Sequence, residues 1–225
     1  MATKTNNVEL KLASGRSVRA ALARPAAAKA PGLLLIHEWW GLNDEMREVA
    51  ARMADAGYLA LSVDLFEGEV ASEPDRARAL MTGLDAAKAK ETMVGWAGWM
   101  RRDAGCNGKL GALGFCMGGG WALNTALATP LEAAVIFYGN CAKTAADLAP
   151  LKGPVQGHFG RLDQGIPVAM AEGFREALKA AGKAGEIHIY EANHAFARVG
   201  GPNFHQQSAD LAWKRTLEFL KKNLS

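Results

Sequence analysis

The chain contains no long apolar run. No stretch approaches the roughly 18 consecutive apolar residues of a membrane-spanning helix, and the opening segment MATKTNNVELK lacks the apolar core of a secretory signal. A cytoplasmic protein without membrane association is therefore expected. Cysteine is scarce. Cys106, Cys116 and Cys141 form an odd set of 3 without a CxxC pair, which argues against a disulfide framework or a cysteine zinc site. With no cluster at ligand spacing, no metal or organic cofactor is implied. A basic block is missing as well: 26 Lys and Arg stand against 23 Asp and Glu for a formal charge of +3, so no nucleic-acid partner is expected. Internal repeats are absent, and the one biased segment, RPAAAKAPG around residues 24–32, is too short to separate domains.

What is present fits one globular unit. With 225 residues, 49% apolar and 22% charged, a single domain over 1–225 with a sizeable core is expected, as a monomer or small homo-oligomer. Residues 8–23 read as a hairpin, with VELKLA and VRAALA flanking the turn Ser14-Gly15. Strands and helices then alternate. GLLLIHE is a buried strand, followed by a helix with Asn43 as N-cap and Gly57 as its stop. YLALSVD is a second strand, and residues 74–101 form one or two helices. Further on, KLGALGF, AAVIFY, PVQGHFG and EIHIYE are strands, separated and closed by helices over MGGGWALNTALA, IPVAMAEGFREALKAAG and QSADLAWKRTLEFLKKN. This alternation predicts an α/β fold, a mostly parallel central sheet with helices on both faces. In such sheets ligands bind beyond the carboxyl ends of the strands.

At one such end stands Gly114-Phe115-Cys116-Met117-Gly118, between the strand KLGALGF and the next helix. It matches the nucleophile elbow with Cys in place of Ser. The sharp turn leaves little room for side chains two positions before and after the nucleophile. The helix N-terminus favours thiolate over thiol, which matters because a free thiol titrates near 8.5. Read blandly, the same pentapeptide is a glycine-rich turn around a structural Cys. Cys106 and Cys141 fall in apparent loops without such a frame. His194 follows the strand EIHIYE and Asp163 follows PVQGHFG, which gives the chain order Cys, Asp, His expected for an α/β-hydrolase triad. His158 and His188 lie inside strands, where core or surface histidines are the ordinary case, and His205 lies in the polar stretch GPNFHQQ. Glu38 ends the first parallel strand in Ile36-His37-Glu38-Trp39-Trp40-Gly41, a carboxylate beside two large rings. That loop, at Trp39, and Met117 are candidate backbone donors to an oxyanion hole, and Trp40 is a candidate substrate contact.

These residues resemble the dienelactone hydrolase (carboxymethylenebutenolidase) family. The resemblance is carried by Glu38 with Gly41 and Met46-Arg47-Glu48, by Asp64-Leu65, by Gly114-Phe115-Cys116-Met117-Gly118-Gly119, and by His194-Ala195-Phe196-Ala197-Arg198. It implies an α/β-hydrolase that opens a cyclic ester through a thioester, with Cys116, Asp163 and His194 as the triad. It further implies that Glu38 holds the resting thiol protonated until substrate displaces the carboxylate. Two arginines bind the lactone carboxylate in that family, and they map by motif to Arg198 and to Arg78 in Asp75-Arg76-Ala77-Arg78. The stretch between Asp64 and Cys116 is shorter than the family type and lacks an aromatic pair after the second arginine. Three readings stay open: a hydrolase of a small anionic lactone or ester, a promiscuous carboxylesterase or thioesterase, and an idle fold used as a binding module.

Overall fold

A computed structural model of the chain describes residues 3–225. Met1 and Ala2, which begin both the segment read for a secretory signal and the expected single domain, lie outside the described residues. The chain divides into two compact units, 1–111 and 112–225. The first holds β1 (Thr5–Lys11), β2 (Ser17–Ala23), β3 (Ala30–Ile36), α1 (Asp44–Asp55), β4 (Leu59–Val63), α2 (Pro74–Thr82) and α3 (Ala86–Arg102). The dividing point falls inside β5 (Cys106–Phe115). The second continues with α4 (Met117–Ala128), β6 (Ala133–Phe137), β7 (Val155–Gly160), α5 (Val168–Ala180), β8 (Gly185–Tyr190) and α6 (Gln206–Leu224). The sheet order is β1-β2-β4-β3-β5-β6-β7-β8.

In the first unit β1 and β2 form the expected hairpin, with Leu10 opposite Val18, and β2 runs antiparallel to β4. β3 and β4 are parallel and buried almost throughout, as strands covered on both faces must be. Register shows where the helices lie. Leu35 pairs with Ser62, whose hydroxyl bonds the Met46 carbonyl of α1, whereas a Cβ on Gly32 would meet the Met100 side chain of α3. Positions 32 and 35 point to opposite faces, so α1 and α3 cover opposite sides. Helix α1 starts as its sequence predicts: the Asn43 side chain accepts the Met46 N–H at 3.1 Å, an N-cap contribution of about 1 kcal/mol. It stops at Gly57, whose φ of 96° suits glycine. The 74–101 stretch is two helices, because Asp85 accepts the N–H groups of Ala87 and Lys88 and so begins a new one.

The second unit repeats the plan. β6, β7 and β8 are parallel, and Val155 pairs with Gly185, which abuts Leu178 of α5. The neighbouring Gln156 and His158 point the other way and bond Arg215 and Thr216 of α6. Here too helices cover both faces. The β5 strand begins at Cys106, which is buried, so the expectation of a loop there was wrong. Cys141 lies outside helices and strands and is buried, and burial pushes its thiol up to about 12. No helix among the described residues is long and apolar enough to cross a membrane.

Two fully buried histidines give this core a pH dependence. The Leu65 N–H donates to His37 Nε2 at 3.2 Å, so His37 Nδ1 carries the hydrogen that it donates to the Glu38 carbonyl at 2.5 Å. His158 bonds the Tyr190 hydroxyl, the Gln156 side chain and the Thr216 hydroxyl, with His188 and Arg215 close by. Burial lowers both pKa values, and the nearby His188 and Arg215 lower that of His158 further. Lowered folded values mean that their stabilisation is complete above the unfolded imidazole value near 6.5 and is lost as pH falls toward the folded values. Between pH 7 and 5 the unfolding free energy from urea titration is therefore expected to drop, at most by about 1.4 kcal/mol per pH unit for each imidazole, and the midpoint with it. A midpoint that stays level over this window would contradict their neutral burial.

Candidate active site

The join between β5 and α4 is tight. A Cβ on Gly114 would lie 1.9 Å from the Gly118 carbonyl oxygen, so no larger residue fits at 114 without moving backbone. Crowding explains the glycine two positions before Cys116. Gly118 contributes the backbone that does the crowding. Cys116 itself has φ 53° and ψ −119°, a strained conformation for a residue with a side chain. It persists because the surroundings fix it: the Cys116 N–H bonds the Phe137 carbonyl at 2.9 Å, and the Gly119 N–H bonds the Cys116 carbonyl at 3.0 Å. The half-exposed thiol stands at the N-cap of α4 without making a capping hydrogen bond, where the positive end of the helix favours an anion. Met117 opens the helix, and its N–H is one of the four that an α-helix leaves without an internal acceptor.

Asp163 and His194 stand in turns beyond β7 and β8. The Asp163 side chain is fully buried, and its two oxygens divide the work. Oδ1 accepts the Gly165 and Ile166 N–H groups at 2.8 and 2.9 Å, while Oδ2 holds His194 Nδ1 at 2.6 Å. Turn chemistry and imidazole orientation are thus both real. Burial pushes the Asp163 carboxyl up, but the hydrogen bonds from His194, Ile166 and Gly165 outweigh it and the net shift is downward. For His194, burial pushes down. Its bond to Asp163, together with the hydrogen bonding and charge of the Cys116 sulfur, overcomes that and raises the imidazole to about 10. With Nδ1 committed to Asp163, Nε2 is the nitrogen left for the sulfur. The loop carrying His194 is itself held, since Asn203 donates to the His194 carbonyl at 3.0 Å. Asn203 escaped the sequence reading because nothing in its local pattern points nine residues back. Tyr138 was missed as well; its ring centroid lies 5.1 Å from that of His194. Its place at the end of β6, followed by Gly139, was the available signal.

Arg198 is half-buried on the same loop as His194, its N–H bonded to the Ala195 carbonyl at 3.0 Å. In the first unit, Glu38 lies two residues beyond the end of β3 rather than at its last position, and it is buried. Trp39 and Trp40 are half-buried and pack edge to face with centroids 5.2 Å apart. Arg78 is exposed on α2. His205, placed by sequence in a polar stretch, precedes α6 and bonds the Ser208 hydroxyl at 2.7 Å. His188 is half-buried in β8. Among the described residues, no group of three His, Cys, Asp or Glu side chains could hold a metal ion.

The sequence profile described as "Dienelactone hydrolase family" matches residues 18–224. The chain belongs to the dienelactone hydrolase family. Its similarity to other members runs over nearly its whole length. The carboxymethylenebutenolidase of Pseudomonas putida is 28% identical, with 96% of each chain covered. A provisionally named carboxymethylenebutenolidase of Escherichia coli O157:H7 is 34% identical over 92% of this chain and 83% of its own. Among solved structures, a provisionally named dienelactone hydrolase of Klebsiella pneumoniae superposes with a TM-score of 0.86 at 28% identity, covering 97% of this chain and 99% of that one. The fold is accordingly that of an α/β-hydrolase, and this dienelactone hydrolase family member is a hydrolase of carboxylic esters or lactones.

Asp163→Asn tests the polar pair without substrate. The amide keeps the shape but removes the charge that raises His194, so the imidazole titration followed by NMR is expected to move from about 10 toward the ordinary range near 6.5. An unmoved titration would mean that Asp163 does not set the charge of His194.

Proposed function

We propose that this hydrolase opens a small, anionic lactone or ester with Cys116 as nucleophile and a thioester acyl-enzyme as intermediate. One observation carries the reading: a thiol at a helix N-terminus faces an imidazole whose other nitrogen is held at 2.6 Å by a buried carboxylate. The sulfur, as thiolate, adds to the ester carbonyl, and the N–H of Met117 supports the oxyanion. The carbon–oxygen bond of the ester breaks, and the leaving oxygen takes the proton that His194 carries. In a lactone that alcohol stays on the acyl group. Neutral His194 next takes a proton from water as its oxygen adds to the thioester carbonyl. The carbon–sulfur bond then breaks and the thiolate returns.

Family resemblance extends the proposal to Glu38 as a proton partner of the thiol, to the Trp39 N–H as an oxyanion donor, and to Trp40, Arg78 and Arg198 as substrate contacts. Free thiols at Cys106, Cys116 and Cys141 support a reducing, cytoplasmic setting. The family profile covers both compact units, which supports a single working domain; a monomer or small homo-oligomer is proposed with it.

Cys116→Ala is expected to abolish turnover while leaving the melting transition in place, because it removes one half-exposed sulfur and leaves the elbow backbone. Activity that survived would end the assignment. A dienelactone compared with a neutral nitrophenyl ester ranks lactonase against general esterase by kcat/KM. Arg198→Ala should cost the anionic substrate roughly tenfold to 150-fold more than the neutral one, the value of a lost charge-assisted hydrogen bond, with a weaker effect for Arg78→Ala. Equal losses would leave Arg198 as a support of the loop. Iodoacetamide addresses Glu38. Slow alkylation of the resting enzyme, accelerated in Glu38→Gln, is expected if the carboxylate keeps the thiol protonated. Fast alkylation that Glu38→Gln leaves alone would place the resting proton on His194 and remove the switch, with the nucleophile unchanged.

A further inference from the structure

Asp163 holds one nitrogen of His194, and the Cys116 sulfur hydrogen-bonds the imidazole as well. Bonds at the two nitrogens still leave the ring free to turn about the line that joins them. A contact against the ring itself is needed to set its plane. Tyr138 is in place to supply it, directly after β6 in the same unit as the three candidate triad residues. Its ring centroid is 5.1 Å from that of His194 at an interplanar angle of 60°, and 5.4 Å from that of Phe196, two residues further along the His194 loop. Offset and edge-to-face ring pairs in this range are the favoured geometries.

The backbone at Tyr138 makes the contact look built. Tyr138 has φ 39°, a left-handed conformation that is an outlier for a bulky side chain and costs of order 1–3 kcal/mol. The segment is clamped there. The Tyr138 N–H donates to the His158 carbonyl at 2.8 Å, and the preceding Phe137 carbonyl accepts from the strained Cys116. Directly after it, a Cβ on Gly139 would lie 2.5 Å from the Gly120 backbone nitrogen of α4. One clamped segment therefore touches the elbow through its backbone and the imidazole through its ring. Tyr138 is almost fully buried, so its ring has little freedom to move away.

We propose that Tyr138 is a positioning residue for His194, its ring setting the plane of the imidazole that Asp163 holds by one nitrogen. The proposal rests on the reading of His194 as the proton carrier for Cys116. It assigns the effect to the ring rather than to the phenol hydroxyl, and it concerns kcat rather than substrate affinity.

The test uses the whole chain with histidine ring labels. In Tyr138→Leu, kcat should fall about 10- to 100-fold at a nearly constant KM, the scale expected when a catalytic group is misplaced by about 1 Å. The His194 ring resonances should shift or broaden without substrate. Tyr138→Phe should restore both kcat, to within about threefold, and the His194 spectrum. A folded Leu variant with full kcat and an unchanged His194 spectrum overturns the proposal. So does a loss confined to KM, or a Phe variant that fails to restore the rate. If the Leu variant does not fold, Tyr138→Met, whose flexible chain refills the space, carries the same readouts. Failure of both to fold assigns the ring to the core and also overturns the proposal. His194→Ala separates the two readings. Turnover retained in that variant ends the functional reading, whereas the substrate-free His194 spectra of wild type and the Tyr138 variants still report whether Tyr138 orients the ring.

Discussion

The buried carboxylate of Asp163 carries the heaviest constraint in the second unit. It is fully removed from water, a position that costs several kcal/mol for an ion unless its lone pairs are occupied. Its hydrogen bonds are therefore structural as well as chemical. Gly165 and Ile166 hold one oxygen through the turn after β7, which leaves the other aimed at His194 after β8. Removing either partner would strand a buried charge, so the two strand ends are tied together by the same group that orients the imidazole. The outcome at His194 is a competition that burial loses: desolvation disfavours its charge, and the carboxylate and sulfur restore it.

A second constraint acts at the elbow. Cys116 occupies a backbone conformation that side chains avoid, and neighbours without side chains make room for it. The strain is offset by hydrogen bonds to Phe137 and Gly119 and by the packing of α4 on β6. The reward is placement, because the thiol stands free of capping bonds at the positive end of a helix. Strain at Tyr138 belongs to the same region of the fold and is held by the same strand end, so the nucleophile and the imidazole share one support.

Much of this could be read from residue order. The alternation of apolar runs and amphipathic segments located the parallel strands and most of the helices between them, because parallel strands buried on both faces leave uninterrupted apolar sequence. Asn43 and Gly57 marked the ends of α1 by chemistry that is local and hence visible. Cys116, Asp163 and His194 were legible for a similar reason: each stands where a strand ends. What escaped was ambiguous in pattern or set by tertiary context. Asp85 makes the 74–101 stretch two helices by capping the second through local bonds, but such a cap competes with continuing one long helix and cannot be weighed from pattern alone. Cys106 was misread because Asn107-Gly108, a turn signal, follows it, yet it is drawn into β5 and buried. Tyr138 carries no sequence mark of its left-handed φ, since tyrosine ordinarily avoids it.

The central claim is that Cys116 becomes acylated. Rapid quenching during turnover of an ester with a slowly hydrolysed acyl group, followed by peptide mass spectrometry, tests it most directly. The account predicts the acyl mass on the peptide containing Cys116, removed by hydroxylamine as a thioester should be, and absent from Cys116→Ala and from protein denatured before mixing. An acyl group found on another residue, or turnover with no acylated protein at any quench time while Cys116→Ala hydrolyses at the wild-type rate, would contradict it.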